Sequence, residues 1–228
     1  MTQQYDPIII DAWRGPSVES RHQLLASVVD DRGVEVARYG DPGFSTYWRS
    51  SVKPFQARPW VDGGTIDHFG WGDEETAIMC ASHVGAPFHA DLVRRMLADI
   101  GLSEDDLRCD HELKARHNCS GNHTGMLAAC VHNGWDVTTY QRADHPAQVT
   151  GLQSVAQATG IALADIPCGV DGCGIVVYST PAASMAQAYA RLPQLAPRIA
   201  DAMRAHPVSI EVEGELDTVI MQGFPGAN

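Results

Sequence analysis

The stretch Arg49-Ser50-Ser51-Val52-Lys53-Pro54-Phe55-Gln56 constrains this chain more than any other. Ser50 and Lys53 are three residues apart, which on a helix puts both side chains on one face, a single turn apart. A serine hydroxyl is a weak nucleophile at neutral pH. An amine can take its proton only when the amine is itself neutral, and burial favours the neutral form of a lysine. Ser-x-x-Lys in a dry pocket is therefore a compact nucleophile and base. The same spacing also describes a capping serine followed by a solvated lysine. The surroundings favour the pocket, because Phe44, Tyr47, Trp48, Phe55 and Trp60 can supply its apolar walls. Pro54 lacks a backbone donor and suits only a first helical turn, so a helix is expected to begin at this point.

The 228 residues suffice for a substantial core. A formal charge of -12, with basic residues few and scattered, argues against nucleic acid or an anionic membrane surface as a partner. No apolar run is long enough to span a bilayer. Met1 to Pro7 carries only Asp6 as a charge and does not read as a signal peptide. Six cysteines without a secretory signal then read as thiols in a reducing compartment, so a cytoplasmic location is expected.

Along the chain, Ile8-Ile9-Ile10 predicts a strand. Val18 to Asp30 and Val34 to Tyr39 flank Asp31-Arg32-Gly33, which predicts a hairpin. Trp60 to Gly72 reads as a loop. Asp73 to His83 has helical spacing with acidic residues at its start. Pro87 to Ile100 is a stronger helix, with Phe88, Leu92, Met96 and Ile100 recurring every four residues. Cys119 to His132 is so rich in Ser, Gly and Ala that, as a helix, it would let another backbone approach closely. Pro146 to Thr159 is amphipathic, Ile175 to Tyr178 reads as a buried strand, and Pro181 to Leu192 and Pro193 to His206 as two helices. Strands at both ends with helices between predict a mixed α/β domain.

Three further clusters carry chemically useful residues. In Cys80-Ala81-Ser82-His83, the adjacent Ser82 and His83 point in different directions and cannot form a dyad with each other, so a polar helix terminus is the plainer reading. In His117-Asn118-Cys119-Ser120-Gly121-Asn122-His123-Thr124-Gly125-Met126-Leu127, Cys119 and His123 are four apart on one helical face, a spacing that suits zinc but also fits a buried, inert thiol. Cys173 lies on a glycine-flanked turn just before a strand.

Five segments in order resemble one family, the serine-dependent L-asparaginase II enzymes of the rhizobial type. They are Gly15 to His22, Arg49 to Ala57, Cys80 to His83, Cys119 to Leu127, and Gly169 to Gly174. The resemblance implies an α+β fold related to serine β-lactamases and glutaminases, hydrolysis of L-asparagine to L-aspartate and ammonia, and a homodimer. It implies Ser50 as nucleophile, Lys53 as its base, and Ser82 as a member of a second Ser-Lys pair. Arg49, His123 and Asp171 are then expected to line the substrate pocket, and Cys119 and Cys173 to bind zinc. Asn122 stands where the family has a zinc-binding lysine. An amide is a poorer ligand than a neutral amine, so zinc is expected to be weakened. Family members continue beyond the segment resembling Glu213 to Asp217, and the lysine partner of Ser82 lies in that continuation. Residues 1–228 are therefore expected to form a single catalytic domain, incomplete at its C-terminus.

Two other readings compete. A truncated or degenerate member would fold without turnover. A penicillin-binding or β-lactamase-like acyltransferase would use Ser-x-x-Lys with Ser-x-Asn and His-Thr-Gly. Ser120-Gly121-Asn122 and His123-Thr124-Gly125 match those patterns but are contiguous, whereas that chemistry draws them from separate elements.

Overall fold

A computed structural model describes residues 2–110 and 112–224. Strands β1 (Gln3–Tyr5), β2 (Ile8–Arg14), β3 (Ser17–Leu24), β4 (Ala26–Val29) and β5 (Glu35–Tyr39) occupy the first part of the chain. The hairpin about Asp31-Arg32-Gly33 forms, with β4 antiparallel to β5, and β1 adds to β5 in parallel. The run from Val18 to Asp30 is not one strand. It divides at Leu25, and its first half folds back on β2 in a separate ribbon. The extra turn is made at Gly15, whose φ of +57° a side chain would resist.

Strand β6 (Ser45–Tyr47) leads into a 3₁₀ turn at Arg49–Val52 and then helix α1 (Lys53–Asp62). Pro54 lies in the first turn of α1, as its chemistry requires. The stretch read as a loop from Trp60 is partly helical. α1 runs on to Asp62 and α2 covers Thr65–His68, because Trp60, Val61 and Ile66 are all buried in the core. α3 (Asp73–Met79) stops four residues short of the predicted end. The chain beyond it is extended, which frees the Ala81 carbonyl to accept from Lys53 Nζ at 2.6 Å.

The remaining helices are α4 (Pro87–Asp99), α5 (Ser120–Asn133), α6 (Pro146–Thr159), α7 (Ala182–Ala190), α8 (Leu192–Leu195), α9 (Pro197–Ala205), α10 (Pro207–Ile210) and α11 (Leu216–Gly223). The predicted helix from Pro193 to His206 is broken at Ala196, and Pro197 opens α9. α5 is the central helix, with Ser120 through Cys130 all buried. Its small residues are required. A Cβ on Gly121 would overlap the Ile78 carbonyl, and one on Gly125 the Met79 side chain, both on α3.

A second small sheet positions the site. β8 (Val176–Pro181) runs between β6 and β7 (Cys168–Val170), antiparallel to both. Tyr47 lies opposite Ser179, and Trp48 extends the pairing by donating its N–H to the Tyr178 carbonyl at 3.0 Å. The Trp48 indole donates to Thr180 Oγ1 at 2.8 Å. This pairing holds the turn between β7 and β8 against the residues that follow β6. The architecture is mixed α+β.

Candidate active site

Ser50 lies in the 3₁₀ turn and Lys53 is the first residue of α1, so the two do not share a regular helix. Arg49, just before Ser50, has φ +51°, the only positive φ on a non-glycine residue among the described residues. That conformation costs a residue with a Cβ about 1–2 kcal/mol. It is held from both sides, by the Trp48 anchor and by Ser51 Oγ, which donates to the Trp48 carbonyl at 2.6 Å. Backbone strain of this kind is found where a side chain must be aimed. Here the turn directs Ser50 to one side and Arg49 to the other.

Ser50 Oγ donates to Ser82 Oγ at 3.1 Å. Asn118 Nδ2 donates to the same Ser82 oxygen at 3.0 Å. Ser82 thus accepts twice, and its own hydrogen goes to neither partner. Lys53 is 2 % exposed, and its Nζ donates to the carbonyls of Ala81 (2.6 Å) and Asn118 (3.3 Å). Lys53 and Ser50 line one narrow cleft together with Arg49, Gln56, Cys119, Asp171 and Cys173. The cleft has a free volume of only about 10 Å³, room for about one water. Outside it lies an open depression of about 420 Å³ bordered by Tyr47, Arg49, Val170 and Asp171.

Arg49 pairs with Asp171 at 3.0 Å. The arginine side chain is 70 % exposed, so the pair contributes less than about 1 kcal/mol to stability and is readily opened. Asp171 sits in a tight turn closed by Gly174 N–H to the Asp171 carbonyl at 2.9 Å. Gly174 has φ +88°, and a Cβ there would meet the Gln141 amide that holds the Cys173 carbonyl.

Cys119 and Cys173 face each other as free thiols. The hydrogen bond from Cys173, aided by the nearby Lys53 charge, outweighs burial and holds the Cys119 thiol down at about 5. The same bond and burial push the Cys173 thiol up. Asn122 does not turn its amide nitrogen to them; Nδ2 donates to the Met79 carbonyl at 3.1 Å, and Oδ1 is buried without a partner. Among the described residues, no three His, Cys, Asp or Glu side chains gather as a metal site. Two sulfurs fall short of the three or four strong donors zinc takes.

His123 is fully buried on α5, with Nδ1 2.6 Å from the Tyr140 hydroxyl. Its Nε2 has no hydrogen-bond partner among the described residues, and burial drives its basicity down to about 3, so the ring is neutral. It lines neither cavity that contains Ser50. His83 faces away from Ser82, placing Nε2 3.1 Å from Ser120 Oγ and accepting from Gly85 N–H at Nδ1. Burial, with the neighbouring His89 adding to it, lowers it to about 3.

The structure thus brings Ser50, Lys53, Ser82, Arg49, Asp171, Cys119 and Cys173 to one locus, with Asn122 and His123 beneath it in α5. The sequence reading quoted Asn118 within the Cys119 cluster but gave it no role; it touches Ser82, Lys53 and the Cys119 thiol through three different atoms. Tyr189 was missed. Its hydroxyl donates to the Ser51 carbonyl at 2.6 Å from 138 residues away, and nothing local marks it.

A model of the family described as L-asparaginase II matches residues 10–228. The chain belongs to the L-asparaginase II family. No curated protein matches it. Membership makes asparaginase-type amide hydrolysis the activity at family level, with a small molecule as a plausible substrate. No helix of the described residues is long and apolar enough to cross a membrane.

Proposed function

We propose that this L-asparaginase II family member hydrolyses L-asparagine to L-aspartate and ammonia through an acyl-enzyme on Ser50. The observation that carries the reading is the hydrogen bond from the Ser50 hydroxyl to Ser82, at the mouth of a cleft whose buried base candidate is Lys53. Ser50 Oγ attacks the side-chain amide carbon, and Lys53 Nζ, in its neutral form, takes the hydroxyl proton. The carbon–nitrogen bond breaks, Ser82 passes a proton to the departing nitrogen and receives in its place the proton that Lys53 took, and ammonia leaves. Water then hydrolyses the ester and Ser50 regains its proton. Opening of the Arg49–Asp171 pair gives the substrate's carboxylate and ammonium one partner each. Asn118 fixes the direction of the Ser82 hydroxyl and is a positioning residue.

The same reading includes a homodimer in a reducing, cytoplasmic setting, and a zinc affinity at Cys119 and Cys173 that Asn122 keeps low. The decisive assay is ammonia release from L-asparagine by the wild-type chain and by Ser50→Ala, with intact-mass detection of the acyl-enzyme. Release that disappears in Ser50→Ala is the expected result. Undiminished release in that variant, or none from the folded wild type, rejects the mechanism.

A further inference from the structure

Gln56 follows Lys53 by three positions on α1, one turn along the same face, and it too lines the narrow cleft. A glutamine that is 1 % exposed must satisfy both ends of its amide inside the protein. One end is settled, because Nε2 donates to the Val176 carbonyl at 3.2 Å. A carbonyl only accepts, so this bond fixes which end of the amide is the nitrogen and turns Oε1 the other way. Oε1 is buried and has no hydrogen-bond partner among the described residues. An acceptor so placed is destabilising unless something donates to it.

Lys53 presents the complementary need. A neutral amine has two hydrogens and one lone pair. The carbonyls of Ala81 and Asn118 take the hydrogens, which leaves the lone pair for a third direction. Ser50 closes the same cleft, whose free volume of about 10 Å³ matches one water and nothing larger. A water has two hydrogens to give, one for the Gln56 oxygen and one for the Lys53 nitrogen.

Resting on the amidohydrolase reading above, we infer that Gln56 is a positioning residue for the second half of the reaction. With Lys53 it seats the water that cleaves the ester on Ser50. Both water hydrogens are engaged, so the oxygen lone pairs are left for the ester carbon. Lys53 Nζ takes one proton as the water oxygen bonds to that carbon. The bond from the carbon to Ser50 Oγ then breaks, the proton passes from Lys53 to Oγ, and L-aspartate leaves. Ser50 ends protonated and Lys53 neutral, as they began. Formation of the acyl-enzyme, by contrast, does not involve Gln56.

The test follows ammonia release from L-asparagine in the first turnover and at steady state, with intact-mass detection of the acyl-enzyme, for the wild type and Gln56→Met. Methionine fills a similar volume but offers no oxygen. Steady-state release is expected to slow roughly 10- to 100-fold, the effect of one lost hydrogen bond. The first turnover is expected to change little, so the acyl-enzyme accumulates. Both phases slowed alike without accumulation, as a merely structural residue would cause, overturns the inference and leaves the asparaginase reading standing. Unchanged turnover does the same. A second measurement needs no variant. Hydroxylamine has two heavy atoms and does not fit a site for one water, so it is expected to divert little of the wild-type acyl group to the hydroxamate. Ready formation of the hydroxamate puts the attacking molecule on the open side and overturns the inference. No ammonia from the folded wild type, or undiminished release in Ser50→Ala, overturns the asparaginase reading and this inference with it.

Discussion

The two faces of Ser50 are built from opposite materials. On one side, a nearly filled cleft holds Lys53, two facing thiols and an ion pair whose arginine is open to solvent. On the other, about 390 Å³ of mostly apolar space is closed partly by helix α11. Charges gather where packing leaves no slack, and the apolar side chains where space remains. Ser82 belongs to the second face and Lys53 to the first, and the Ser50 hydroxyl lies between them.

The largest test of this division is Lys53→Met. Methionine keeps the apolar stem of a side chain that is 2 % exposed but cannot accept a proton. kcat for L-asparagine is expected to fall roughly 10²–10⁴-fold, with a circular dichroism spectrum like that of the wild type. A variant that folds and turns over normally removes Lys53 as the base and leaves the cleft without its assigned role.

A smaller effect is expected from Asp171→Asn. Loss of a charge-assisted contact worth about 1.5–3 kcal/mol should raise KM roughly 10- to 100-fold. Because Asp171 binds the amino acid head and not the reacting amide, kcat for L-asparagine should change little. A fall in kcat with KM unchanged would show that Asp171 does not hold the head group.

The smallest effect concerns the thiols. Exhaustive dialysis of the protein against a strong chelator is expected to leave ammonia release unchanged, because no step runs through a metal. A loss restored by added zinc would show that Cys119 and Cys173 hold a functional ion despite Asn122.

The features legible in the sequence are those set by local chemistry. Pro54 lies in the first turn of α1 because its missing donor costs nothing there. The turn at Asp31-Arg32-Gly33 joins its two strands. The run of small residues from Ser120 to Gly125 announces a helix that another backbone approaches. The errors arise where burial overrides local signals. Trp60 and Ile66 draw a glycine-containing stretch into helices, and the early end of α3 gives Lys53 the Ala81 carbonyl.

The sequence by itself determined the reactive groups and their ordered blocks, because spacing and residue type are properties of the chain. It did not decide which hydroxyl accepts the hydrogen bond from Ser50 or that Arg49 meets Asp171. Those follow from β8 pairing with β6 over more than 130 residues, with Asn118 and Tyr189 docked from elsewhere in the chain. Contacts between distant segments are fixed when the core packs, and local spacing carries no record of them.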